Sequence, residues 1–162
     1  MKANTCIRTI LLFFAIAAIS LRANGQSSPL IDAHFKAMSR HDINAIASGY
    51  ADSAEVYSPN WEGAKKGKAG ITEVYSRYFK STPDLSFTVT RVILAGEHVV
   101  VEYTQSGMLS DPEGSSPAYM KDKKYTLKCC AIFTIKDGKI AHETDYFDQV
   151  AFLRQVGFFD PH

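Results

Sequence analysis

The chain has 162 residues, 46% of them hydrophobic and 12% aromatic, which is enough for one domain to bury a core without disulfides or metals. Eighteen lysines and arginines nearly balance 17 acidic residues, leaving a formal net charge of +1. This balance argues against nucleic-acid binding and against attachment to an anionic membrane surface, both of which favour a strongly basic protein.

The N-terminal segment, residues 1–25, has the pattern of a secretory signal peptide. Lys2 and Arg8 precede an apolar run from Thr9 to Leu21, and small residues follow up to Gly25. The alternative, an uncleaved anchor, needs about 20 apolar residues to span a bilayer, and this run is shorter. We therefore expect an exported protein, periplasmic or secreted, with no stable membrane insertion after cleavage.

After cleavage the domain covers residues 26–162 and keeps Cys129 and Cys130. Neighbouring residues on a strand point to opposite faces, so a bridge between these two thiols is not expected. Neither they nor the histidines have the spacing of metal ligands. The sequence predicts no metal site and no cofactor, and the two cysteines are interpreted as small buried side chains.

Three helices are predicted in the first half of the domain, at residues 29–38, 42–50 and 68–79, each with apolar side chains on one face. Asp42 has the position of an N-cap for the second helix. A short strand at residues 54–57 is predicted between the second and third helices.

The second half changes to period-two alternation. Strands are predicted at residues 86–94, 98–109, 125–135 and 140–147. The polar segment 110–124 is predicted to be a loop, Asp137-Gly138 a hairpin turn, and residues 149–156 a short closing helix. Helices followed by an antiparallel sheet indicate an α+β fold in which the helices cover one sheet face.

The last predicted strand is polar on both faces. His142, Thr144 and Tyr146 face one way, and Glu143, Asp145 and Phe147 face the other. Because Asp is disfavoured inside strands, we expect one face in solvent, with His142 at the surface, and the other lining a hydrated pocket.

Several short motifs resemble the nuclear transport factor 2-like superfamily: Tyr50–Ala54, Gly67–Ile71 and Asp137–Ile140. The segment Gly138–Asp148, followed by Leu153–Gly157, is most similar to its SnoaL-like polyketide cyclase branch. The resemblance implies a cone-shaped fold with N-terminal helices packed on a strongly curved, mainly antiparallel sheet that encloses a pocket. The superfamily includes isomerases, cyclases, hydrolases, dehydratases and non-catalytic binders, so function must be argued from the site.

The ketosteroid isomerase branch of this superfamily provides a specific test. Its chemistry needs a carboxylate base and an oxyanion hole made of a tyrosine and a protonated aspartic acid. Aligned on the motifs above, those positions fall on Ser58, His34 and Cys130. Steroid isomerisation by that mechanism is therefore not expected.

The resemblance to SnoaL-like cyclases implies a carboxylate near the end of the last strand that moves a proton in an aldol closure. The matching residue is Asp148, with Asp145 and His34 as assisting candidates, whereas Thr144 replaces the tryptophan frequent in the family. Each candidate has a structural alternative. Asp148 could cap the last helix, Asp145 could face solvent, and His34 could be a satisfied core residue.

The predicted ligand-binding residues are aromatic: Tyr50, Tyr57, Trp61, Tyr146 and Phe147. Each could equally belong to the core. The sequence thus leaves two hypotheses, a non-catalytic pocket protein that binds a small apolar molecule or forms a homodimer, and a cofactor-independent cyclase or isomerase-type enzyme that uses Asp148. Export disfavours polyketide biosynthesis, which favours the binding protein.

Overall fold

The computed structural model describes residues 28–112 and 117–161, and the predicted signal peptide lies outside them. The helices are α1 (Pro29–Ser39), α2 (Ile43–Ser48), α3 (Gly67–Ser81) and α4 (Gln149–Gln155). The strands are β1 (Tyr50–Tyr57), β2 (Lys65–Lys66), β3 (Ser86–Ala95), β4 (His98–Leu109), β5 (Lys123–Lys136) and β6 (Lys139–Phe147).

The strands form a single curled, unclosed sheet in the order β2-β1-β6-β5-β4-β3. All neighbours are antiparallel except β1 and β6, which run parallel with Val56 opposite Glu143. This pairing brings the early strand β1 beside the last strand. The predicted α+β class, with helices on a curved and mainly antiparallel sheet, is confirmed.

Local signals set the first two helices. Pro29 begins α1, where its missing N–H costs nothing, and the Asp42 carboxylate caps α2 by accepting from Ala45 N at 2.9 Å, as predicted. Between them His41 stacks on Phe79 with ring centroids 4.2 Å apart, and its Nε2 lies 2.8 Å from the Leu85 carbonyl oxygen. The α1–α2 corner is thereby attached to α3 and to the start of β3.

The core lies between the helices and the concave face of the sheet. Strand β5 shows the predicted alternation, because Leu127, Cys129, Ala131 and Phe133 are buried while Lys128 is exposed. Both cysteines of the domain are free thiols, with Cys129 buried and Cys130 half-buried. The prediction that no bridge joins them is confirmed.

Three features differ from the prediction. Strand β1 begins at Tyr50, a residue predicted to end α2, because the chain leaves the helix after Ser48 and Tyr50 pairs with Ile140. The short strand β2 was not predicted, and a 3₁₀ turn at Ala118–Met120 lies inside the segment predicted to be a loop. The start of β1 depends on pairing with a strand that is distant in the chain.

Over residues 28–112 and 117–161, none of the helices has the length and apolar character needed to cross a bilayer. The predicted homodimer stays a prediction.

Candidate functional site

Two carboxyl groups are buried on the concave side of β6. Glu143 is 3% exposed and Asp145 is 8% exposed. Because they are two residues apart on one strand, they share a face and their Cα atoms are about 7 Å apart. The sequence predicted that this face lines a hydrated pocket. Instead, the two side chains lie inside the core, and neither borders the cavities described below.

Glu143 is held by two phenols. The Tyr50 hydroxyl donates to Glu143 Oε2, and the Tyr75 hydroxyl lies 3.2 Å from each carboxylate oxygen. The two hydroxyl oxygens are 3.0 Å apart. Tyr50, predicted to contact a ligand, is only 1% exposed and bonds to Glu143 within the core.

His34 projects from α1 onto the same network. Its Nε2 lies 3.2 Å from the Tyr75 hydroxyl, and its ring meets those of Phe35, Tyr50, Tyr75 and Phe133 edge-on. Burial lowers the pKa of His34 to about 3, so the ring is neutral at pH 7. His34 Nδ1 has no hydrogen-bond partner in the described part of the chain. The structure thus places His34 as a core residue that contacts Tyr75.

Asp145 is less well supported than Glu143. Asp145 Oδ1 has no hydrogen-bond partner within the described ranges. Burial, reinforced by the charge of Glu143, raises the pKa of Asp145 well above its ordinary value, and Tyr103 opposes this only in part.

Burial also raises the pKa of Glu143, to about 7, although the hydrogen bonds from Tyr50 and Tyr75 oppose this shift. Two neighbouring carboxyl groups whose pKa values are raised by burial can hold and release a proton near neutral pH. Glu143 and Asp145 are thus the interior groups whose proton affinity suits chemistry near neutral pH.

Asp148 is exposed and caps α4, where its Oδ1 accepts from Ala151 N at 2.9 Å. It borders neither cavity. Of the two roles that the sequence left open for Asp148, the structure shows the helix cap.

A cavity of about 280 Å³ opens between α3, α4 and the loop after β1. Its wall includes Trp61, Tyr78, Tyr125, Phe147 and Phe152, together with Arg77 and Gln105. The Tyr78 hydroxyl donates to Ser58 Oγ at 2.9 Å and accepts from Asn60 Nδ2 at 3.1 Å, which fixes the ring in the wall. We call this space the aromatic cavity.

A second, more open cleft of about 680 Å³ is lined by Glu102, Tyr103, Lys128, Cys130, Tyr146 and Phe147, among others. Phe147 borders both spaces. Burial raises the pKa of Tyr78 in the wall of the aromatic cavity, and Asp145 adds a smaller contribution in the same direction.

Three of the five predicted aromatic ligand-binding residues border a cavity, namely Trp61, Tyr146 and Phe147. Tyr50 is in the core and Tyr57 is 42% exposed on β1, outside both spaces. The sequence analysis missed Glu143, whose alternation with Asp145 on β6 was the available signal. In the described segments, no group of three or more His, Cys, Asp or Glu side chains is arranged to hold a metal ion.

Comparison with known proteins agrees with this architecture. The SnoaL-like domain family matches residues 31–143. No protein of curated function is similar enough to the chain to count as a match. A candidate SnoaL-like polyketide cyclase from Jannaschia sp. CCS1 superposes with a TM-score of 0.71 at 15% identity, covering 86% of this chain and 100% of the other.

TerC, crystallised with polyporic acid, superposes with a TM-score of 0.65 at 26% identity, over 78% of this chain and 95% of the other. A protein from Catenulispora acidiphila with a ketosteroid isomerase-like fold, crystallised with trimethylamine, superposes with a TM-score of 0.67 at 18% identity, over 81% and 95%. Since the family match spans more than half of the 162 residues, the chain belongs to the SnoaL-like domain family.

Proposed function

We propose that this protein binds a small, largely apolar and aromatic molecule in the aromatic cavity. The observation that carries the proposal is the cavity of about 280 Å³ whose wall combines several aromatic rings with a few polar groups. That combination is typical of small-molecule sites, where rings supply contact area and sparse polar groups orient the ligand.

The polar groups favour a ligand with an oxygen acceptor. The indole N–H of Trp61 is buried and has no hydrogen-bond partner among the described residues, and Arg77 Cζ lies 5.8 Å from the Trp61 ring centroid. A carbonyl or hydroxyl oxygen on the ligand would satisfy such a donor. TerC, crystallised with polyporic acid, supports the use of this fold for an organic ligand.

The test is binding of 1-naphthol, monitored by thermal unfolding and by isothermal titration calorimetry. Ligand at about 100 times its Kd should stabilise the protein by about 2.7 kcal/mol. Trp61→Ala should weaken binding at least tenfold. Tyr57→Ala, a matched aromatic truncation outside both cavities, should leave binding unchanged. Equal affinities in the two variants would contradict the proposal.

We also propose that the protein is exported after cleavage near Gln26, on the strength of the basic and apolar N-terminal pattern. N-terminal sequencing of the protein from its native host should begin near that residue. A retained Met1 in the cytoplasmic fraction would contradict export.

A further inference from the structure

We propose that Glu143 is a positioning residue which, with Tyr50 and Tyr75, keeps a proton on Asp145 at neutral and mildly alkaline pH. In this arrangement Glu143 carries the negative charge and Asp145 is a neutral carboxylic acid. The inference goes beyond the proposed binding function, and its test detects protonation directly. It can therefore hold or fail independently of ligand binding.

The first step is the absence of a compensating cation. The titratable groups that face the pair are His34 on α1, Tyr50 on β1, Tyr75 and Tyr78 on α3, Tyr103 on β4 and Cys129 on β5. Burial keeps all of them neutral at pH 7. Within residues 28–112 and 117–161, no lysine or arginine forms an ion pair with either carboxylate.

The second step is electrostatic. Two carboxylates on one strand face, with Cα atoms about 7 Å apart, would repel each other strongly in a dry interior. Each would also lose its hydration. Ionisation of one group therefore opposes ionisation of the other, and the pair retains one proton after the first is lost.

The third step decides which group is ionised. A carboxylate is stabilised by hydrogen-bond donors, and Glu143 receives two, from Tyr50 and Tyr75. Asp145 Oδ1 has no hydrogen-bond partner in the described segments, and Tyr103 lowers the pKa of Asp145 only in part. The negative charge is therefore more stable on Glu143, and the remaining proton is more stable on Asp145.

His34 completes the arrangement. The Tyr75 hydroxyl has a single proton and lies near both Glu143 and His34 Nε2. If that proton points to Glu143, His34 must donate from Nε2 to the Tyr75 oxygen, which leaves Nδ1 as a bare acceptor. In this tautomer Nδ1 carries no hydrogen. Its missing partner therefore leaves an acceptor unpaired and not a buried N–H donor.

The experiment is carbon-13 NMR of the full chain labelled at the side-chain carboxyl carbons of Asp and Glu, recorded against pH. Asp145→Asn and Glu143→Gln assign the two buried signals. In wild type, Glu143 should ionise at lower pH than Asp145, which should still be protonated after Glu143 has ionised. In Glu143→Gln the titration midpoint of Asp145 should fall by at least about one pH unit, a tenfold loss of proton affinity.

Glu102→Gln, which removes an exposed acid from β4, should leave the Asp145 midpoint unchanged. An ionised Asp145 in wild type at pH 7 would overturn the inference, as would the same midpoint in wild type and Glu143→Gln. If Glu143→Gln does not fold, Tyr75→Phe replaces it. Loss of that donor should raise the Glu143 midpoint, and an unchanged Glu143 midpoint would also overturn the inference.

Discussion

Replacing Glu143 by Gln should change how the stability of the protein depends on pH. Burial raises the pKa of Glu143 from an ordinary 4.5 to about 7. Between these two values the folded protein binds a proton that the unfolded chain has released. The free energy of unfolding contributed by Glu143 is therefore fully present below about pH 4.5 and is lost as the pH rises to about 7.

The size of the effect follows from the pKa values. Each tenfold change in proton affinity corresponds to about 1.4 kcal/mol, so the shift from 4.5 to about 7 corresponds to about 3 kcal/mol. His34 acts in the opposite direction. Its pKa falls from 6.5 to about 3, so the unfolded chain binds the extra proton and stability rises with pH over that window. Subtracting the variant from wild type at each pH removes the His34 contribution.

Urea unfolding of wild type and Glu143→Gln at about pH 4 and pH 7.5 measures the difference. The glutamine amide still accepts from the phenols but adds buried donors, which should destabilise the variant by about 1–3 kcal/mol at the lower pH. At the higher pH the free energy of unfolding of wild type should fall by about 3 kcal/mol relative to that of the variant. The variant should then be as stable as wild type or more stable.

Glu102→Gln is the control for the loss of an acidic side chain. Its free energy of unfolding should stay within about 0.5 kcal/mol of the wild-type value at both pH values, because that side chain is exposed. A wild-type advantage over Glu143→Gln that is the same at both pH values would refute the reasoning. It would show that Glu143 titrates alike in the folded and unfolded states.

Three further predictions use the same unfolding assay. His34→Gln should remove the rise of stability with pH that His34 causes. The difference in free energy of unfolding between wild type and this variant should therefore grow by about 3 kcal/mol between about pH 4 and pH 6.5. A constant difference would mean that His34 is not buried in its neutral form. Asp148→Ala should lower the free energy of unfolding by about 1 kcal/mol and Asp148→Asn by much less, because only the alanine removes the acceptor for Ala151 N. Equal losses of stability in the two variants would contradict the helix cap. Gly107→Ala should cost about 1–3 kcal/mol, because a Cβ there would overlap Thr82 Cγ2 and lie 3.3 Å from Leu85 Cα. Unchanged stability of this variant would contradict the overlap.

Features with a local physical cause could be predicted from the sequence. Asp42 caps α2 because its carboxylate needs only an amide three residues away. The alternation along β5 is visible in the sequence because a strand has period two, and Asp137-Gly138 forms the hairpin turn through positive φ at both residues. Together with the family motifs, these signals were sufficient for the fold class.

Tertiary structure decided the site. Alternation on β6 places Glu143 and Asp145 on one face, but it does not say what covers that face. The parallel pairing of β1 with β6 brings Tyr50 to Glu143, α3 brings Tyr75, and α1 brings His34. Burial and hydrogen-bond partners set the proton affinity of a carboxyl group, and both depend on residues far away in the chain.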